Sequence, residues 1–252
     1  MLGQTPPRLI LLVAGALLLV CNCGCLRRVQ RYHDFTTRTP LGQNEILILG
    51  LMGGREPWNN YQHCVRRLGL KLRAMNLPNV HVETVENKKR SLAIELITNA
   101  LDRNHDGKLD SQERASARLI LYGESFGGAA VVKLARQLKK LDVPVLLTVQ
   151  IDSIGVDDAI IPSNVAAAAN LFQRNGWFIR GEPVIRAADP TKTTIIGNFK
   201  YDYSHSTIDI SKVSWMKKSF RIAHSRIEHD DEVWNKVEEL VLASIDGARK
   251  RA

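Results

Sequence analysis

Ser125 stands where the chain could make a hydroxyl nucleophilic. In Leu119–Leu138, LILYGESFGGAAVVKLARQL, an apolar run stops at Gly123, Ser125 sits between glycines, and an amphipathic pattern follows. A buried strand running into such a turn and a helix leaving it strain the serine backbone and aim Oγ out of the sheet. Gly123 and Gly127 leave room for strand and helix to approach. The helix start behind Ser125 adds amide donors and a positive dipole end. A serine hydroxyl is a weak nucleophile, so this chemistry also needs a base, and the base needs an orienting acid. The competing reading of the same residues is a structural turn with a capping serine.

The strand–GESFGG–helix stretch resembles the α/β-hydrolase superfamily, especially its lipase- and thioesterase-like members, over about residues 44–245. The resemblance implies a mostly parallel central sheet with helices on both faces and Ser125 as nucleophile. It also implies an oxyanion hole made by the Phe126 amide and a second amide from GLMGG. Leu51, Met52 and Gly53 are the candidates there, with Met52 the expected donor. Gly50-Leu51 stands where the family often has His-Gly. The family order is serine, acid, histidine, which makes His205, in YDYSHSTID after the last strand, the expected base. His224 and His229, in the segment leading to the terminal helix, read as surface residues. His63 and His81 come too early for that order and read as structural. Asp152, at the end of the strand after the elbow, is the expected acid. Asp189 in AADPTK is its rival, and Asp157 and Asp158 read as loop residues. Such a triad transfers the acyl group of an ester or thioester, a small molecule or a lipid, to water without an organic cofactor. The other class of function is a non-catalytic α/β-hydrolase-like binding or scaffold protein. The elbow, His205 and the glycine-rich loop favour the enzyme.

A second set of oxygens lies just upstream. DRNHDGKLDSQE, Asp102 to Glu113, fits the EF-hand loop pattern at Asp102, Asn104, Asp106, Gly107 and Glu113. In that resemblance calcium takes oxygens from Asp102, Asn104 and Asp106, the Lys108 carbonyl, Asp110 and both oxygens of Glu113. The entering helix is expected at Ser91–Leu101. Only about four residues separate Glu113 from the next strand, so no exiting helix is expected. A structural calcium clip is therefore the expectation, not an opening switch.

The elements that must position these residues alternate. EILILG (Glu45–Gly50), NVHVETV (Asn79–Val85), RLILYG, VPVLLTVQID and KTTIIGNF (Lys192–Phe199) read as strands. Helical spacing marks Val65, Leu68, Leu72 and Met75, then Ser91–Leu101, Ala129–Leu141, and a terminal helix through Val233, Val237, Leu240 and Ile245. Asn164–Gln173 fits a strand or a helix. Residues 155–190 are a candidate small cap. Apolar strands alternating with helices indicate a parallel sheet covered on both faces.

The net charge of +9 is spread over scattered basic clusters, which suit a solvated surface or an anionic membrane. No aromatic-basic interleaving points to nucleic acid. Residues 1–25 read as a signal peptide or membrane anchor, because the apolar run Leu9–Val20 is too short for a spanning helix. Gly24-Cys25 resembles a bacterial lipoprotein signal, although Asn22 stands where leucine is expected. The expected location is extracytoplasmic, exported or membrane-anchored. Residues 26–43 read as a polar linker and 44–252 as the hydrolase domain, in which Cys64 is the only cysteine.

Overall fold

The computed structural model describes residues 28–175, 180–205, 208–209 and 215–251; within 215–221 it describes the backbone alone. Residues 1–25, with the expected signal or anchor, lie outside it. Among the described residues no helix is long and apolar enough to cross a membrane.

The elements run β1 (Ile46–Met52), α1 (Cys64–Ala74), β2 (Val80–Glu86), α2 (Arg90–Leu101), α3 (Ser111–Ala115), β3 (Leu119–Glu124) and α4 (Phe126–Lys139). After these come β4 (Val145–Ile151), β5 (Ile160–Ile161), β6 (Val165–Gln173), β7 (Arg186–Ala187), β8 (Thr194–Tyr201), α5 (Trp215–Glu228) and α6 (Asp231–Arg249). Six strands form one sheet in the order β2-β1-β3-β4-β6-β8, and every neighbouring pair is parallel. Strands β5 and β7 form a separate short parallel pair.

Alternation along each strand divides the core in two. Leu47, Leu49 and Leu51 of β1 pack with α2 and α4, whereas Ile46, Ile48 and Met52 pack with α1, α5 and α6. β1 is buried along its whole length because both faces are covered. Burying a side chain such as Ile48 or Leu49 contributes about 1.5–3 kcal/mol. The protein therefore has the arrangement expected from its sequence, a parallel central sheet with helices on both faces.

The chain moves from β1 outward to β2 and then returns to β3 on the other side of β1. The connections leaving the carboxyl ends of β1 and β3 go to helices on opposite faces, α1 and α4, and open parallel sheets bind ligands at such a crossover. The loop after β1 and the elbow after β3 both open into this crevice.

Several stretches differ from their sequence reading. Val165–Gln173 resolves as a strand, β6, held between β4 and β8, so the middle of the expected 155–190 cap belongs to the sheet. From the remainder, Gly181 packs onto Asp152, and the Glu182 amide donates to the Ser153 carbonyl (2.9 Å). A short exiting helix, α3, begins at Ser111 within the 102–113 loop, where none was expected. Residues 28–43 do not hang as a linker. The Gln30 side chain bonds the β2 backbone at Thr84 and Glu86, the Thr36 and Thr37 amides donate to the buried Glu83 carboxylate (2.8 Å each), and Leu41 enters the core. These contacts cover the β2 edge, which would otherwise offer unpaired backbone to other chains.

Candidate active site

Ser125 lies between the end of β3 and the first turn of α4, with φ 57° and ψ −125°. A positive φ in a non-glycine residue is strained and persists only where its surroundings enforce it. Here the Ser125 amide donates to the Ile151 carbonyl (2.9 Å), and its own carbonyl accepts from the Gly128 and Ile154 amides. The glycines beside it answer to contact. A Cβ on Gly127 would collide with the Leu51 carbonyl, and one on Gly123 with the Gly127 carbonyl. Ser125 is 1% exposed, and its Oγ has no hydrogen-bond partner among the described residues.

Asp152 follows β4 and is fully buried. Its carboxylate accepts from the Gln173 amide (3.3 Å), from Gln173 Nε2 (2.9 Å) and from His224 Nδ1 (2.6 Å). His224 lies on α5, whose buried Ala223 and Ile227 hold that face against the sheet. The histidine beside Asp152 is thus His224 and not His205, which is exposed in the turn after β8. Asp189, the rival acid, caps its own turn through Thr191 (Oγ1 to Oδ1, 2.6 Å) near the surface. His229 bonds the Ser225 carbonyl one turn back, and His81 pairs with Glu45 at 3.2 Å.

The sequence contained a signal for His224. Phe220, Ala223, His224 and Ile227 recur at helical spacing, which places His224 on the apolar face of a helix.

Glu124, the residue before the serine, went unremarked in the sequence and is buried at the centre of the site. Its Oε1 lies 3.1 Å from His224 Nε2, and its Oε2 lies 3.6 Å from His63 Nε2. His63 in turn approaches Glu228 at 3.9 Å, while its Nδ1 accepts the Val65 amide and caps α1. A line of alternating carboxyl and imidazole groups therefore runs Asp152–His224–Glu124–His63–Glu228. Burial pulls the His63 pKa down, but the Glu124 contact and charge, with Glu228 and Glu56 behind it, raise it above the ordinary 6.5.

Ser125, His224, Glu124, His63, Gly53 and Gly54 line one small chamber of about 20 Å³, room for about one water. Gly53 closes onto Glu124, where a Cβ would strike the carboxylate. Met52, the expected second oxyanion donor, is instead the last residue of β1; it pairs in register with Glu86 and does not line the chamber. Phe126 opens α4 with its ring half-exposed.

Among the described residues, one group of three potential metal ligands has its ligand atoms within 4.8 Å of one another: His63, Cys64 and Glu124. Burial holds the Cys64 thiol well above its usual range, which disfavours the thiolate a metal needs, and His63 Nδ1 already accepts an amide.

In the loop at 102–113, the donor types suit calcium, and the same oxygens accept backbone amides. Glu113 turns Oε1 to the Arg103 and Asn104 amides and Oε2 to the Asp110 amide. Asp102 receives the Asp106 and Gly107 amides, Asn104 the Asp106 amide, and Asp106 the Lys108 amide, while Asp110 caps α3 through the Glu113 amide. The loop is organised around its own backbone.

No family model and no curated protein matches the chain. Solved structures do match, among them a novel cutinase-like protein from Cryptococcus sp., at 13% identity and a TM-score of 0.44, covering 80% of this chain and 95% of that one.

Proposed function

We propose that the chain is a serine hydrolase that transfers the acyl group of an ester or thioester to water. The observation that carries this reading is the buried His224–Asp152 pair, whose histidine lines one chamber with a strained serine whose hydroxyl has no partner among the described residues. In the proposed reaction Ser125 Oγ attacks the carbonyl carbon while His224 Nε2 takes its proton. Asp152 holds the Nδ1 proton, fixes the tautomer and stabilises the imidazolium that forms. The Phe126 and Gly53 amides are the assigned donors to the oxyanion, each worth about 3 kcal/mol. The leaving alcohol or thiol receives the proton from His224. Water then attacks the acyl-serine with His224 as base, which frees the acid and restores Ser125.

For this to occur, His224 Nε2 must exchange Glu124 for Ser125, and a substrate must widen a chamber that holds about one water. Those two observations favour the second reading, a non-catalytic protein that retains the fold for binding. A fluorophosphonate probe separates the two. Labelling of the wild type that is lost in Ser125→Ala supports the hydrolase, and folded wild-type protein that stays unlabelled supports the binding protein.

Membrane targeting and an extracytoplasmic location remain proposals resting on the sequence of residues 1–25. Full-length protein found freely soluble in the cytoplasm on fractionation refutes them.

A further inference from the structure

Across Gly54 and Phe126 from the serine chamber lies a second cavity, of about 440 Å³, within the range of small-molecule sites. It is bounded by the loop after β1, the start of α2, the first turns of α4 and the loop after β4. Its lining combines two features. Phe126 (50% exposed) and Val156 (72% exposed) present apolar surface to solvent. Arg55, Lys88, Arg90 and Lys133 contribute four cations, with no acid in the lining. Lys88 and Lys133 take part in no described ion pair or hydrogen bond. Arg90 donates through Nη1 to the Asn87 carbonyl, while its buried Nε has no partner among the described residues. The starts of α2 and α4 add their positive dipole ends to the same space.

Of the four cations, Lys88, Arg90 and Lys133 are like charges around one cavity with no acid in its lining, and they repel one another; an anionic ligand relieves that repulsion. Phe126, next to Ser125 in the chain, and Val156 give the same cavity apolar surface for an aliphatic chain. We propose that this cavity binds the anionic end of the substrate, so that the preferred esters carry a carboxylate or phosphate a few bonds from the scissile carbonyl. The inference rests on the hydrolase reading for its chemistry, and on the cavity alone for its ligand.

The test compares two 4-nitrophenyl esters of equal chain length: the monoester of glutaric acid, which keeps a free carboxylate, and the neutral valerate. The full chain is expected to favour the glutarate ester in kcat/KM by about tenfold at low ionic strength, since partly exposed cations contribute a factor of about 2 to 5 each. That preference should collapse in Lys88→Ala/Lys133→Ala, and in 1 M salt, where charges are screened beyond about 3 Å. Equal kcat/KM for the two esters, or a preference the double variant keeps, overturns the proposal.

Should neither ester be hydrolysed and no probe label Ser125, the hydrolase reading fails and the cavity is still read directly. Calorimetry of Ser125→Ala with each ester is then expected to show tighter binding of the glutarate ester, weakened in Ser125→Ala/Lys88→Ala/Lys133→Ala. Equal binding of the two esters overturns the site. So does a third outcome, binding to anionic phospholipid vesicles that depends on Lys88 and Lys133 without any preference between the soluble esters, which would make the cations a membrane surface.

Discussion

Replacing Asp152 by asparagine keeps the volume of a fully buried side chain and exchanges one acceptor oxygen for an NH2 donor. Three groups now donate to that carboxylate: His224 Nδ1 at 2.6 Å, Gln173 Nε2 at 2.9 Å and the Gln173 amide at 3.3 Å. Asparagine has one oxygen to offer. If that oxygen stands at the Oδ1 position and keeps the Gln173 amide, the NH2 group stands at the Oδ2 position and faces His224 Nδ1, which can then only accept. The proton moves to Nε2, where it blocks removal of the Ser125 proton. A wrong tautomer in an otherwise intact triad lowers kcat by about 10,000-fold, or about 5 kcal/mol of transition-state stabilisation. Exchanging charge-assisted bonds for neutral or mismatched ones costs about 2 kcal/mol of folding stability. For a domain of this size that is a drop in Tm of about 4–8 °C. The assay pairs the kcat for a 4-nitrophenyl ester with a melting curve on the same protein. The loss in kcat should far exceed what the melting curve explains. Folded Asp152→Asn protein within tenfold of wild-type kcat would refute the reasoning, because the tautomer at His224 would then be irrelevant.

The histidines give a paired test: His224→Gln is expected to lower kcat by 1,000-fold or more, and His205→Gln, exposed in a turn, by less than threefold; the reverse pattern would return the base to His205. At the 102–113 loop, Glu113→Ala leaves three amides without their acceptor and should cost about 2–3 kcal/mol even in EDTA. A loss in Tm seen only when calcium is present would mean that the residue serves a metal instead. For His63, the raised folded pKa means its contribution to stability is complete below pH 6.5 and is lost as pH rises through the folded value. The wild type should therefore lose Tm relative to His63→Gln as pH is raised from about 6 to 9; a difference that grows with pH would contradict the sign.

What the sequence by itself determined is local or periodic. The apolar runs Ile46–Met52, Leu119–Glu124 and Val145–Ile151 declare buried strands because both faces of a parallel sheet are covered, and no polar position has to alternate. The glycines around Ser125 declare the elbow because only a missing Cβ permits the contacts with the Leu51 and Gly127 carbonyls. Asp152 was legible as the acid candidate because it directly ends a readable strand. The residues that the sequence left open depend on partners far along the chain. Residues 165–173 became a strand because β4 and β8 flank them, a fact absent from their own alanine-rich pattern. The loop at 102–113 matched a metal pattern residue by residue, yet the direction of Glu113 was decided by the nearby Arg103, Asn104 and Asp110 amides.

The histidine was the hardest to read. His205 follows a strand, as the expected order requires, whereas His224 reaches Asp152 only because α5 packs its Ala223–Ile227 face against the sheet, 72 residues along the chain from the carboxylate. The same packing brings His224 to Glu124 at the end of β3. Residue type and spacing set which side chains are able to do chemistry. Which of them meet is set by how helices cross a sheet, and that is decided by the burial of surfaces far apart in sequence.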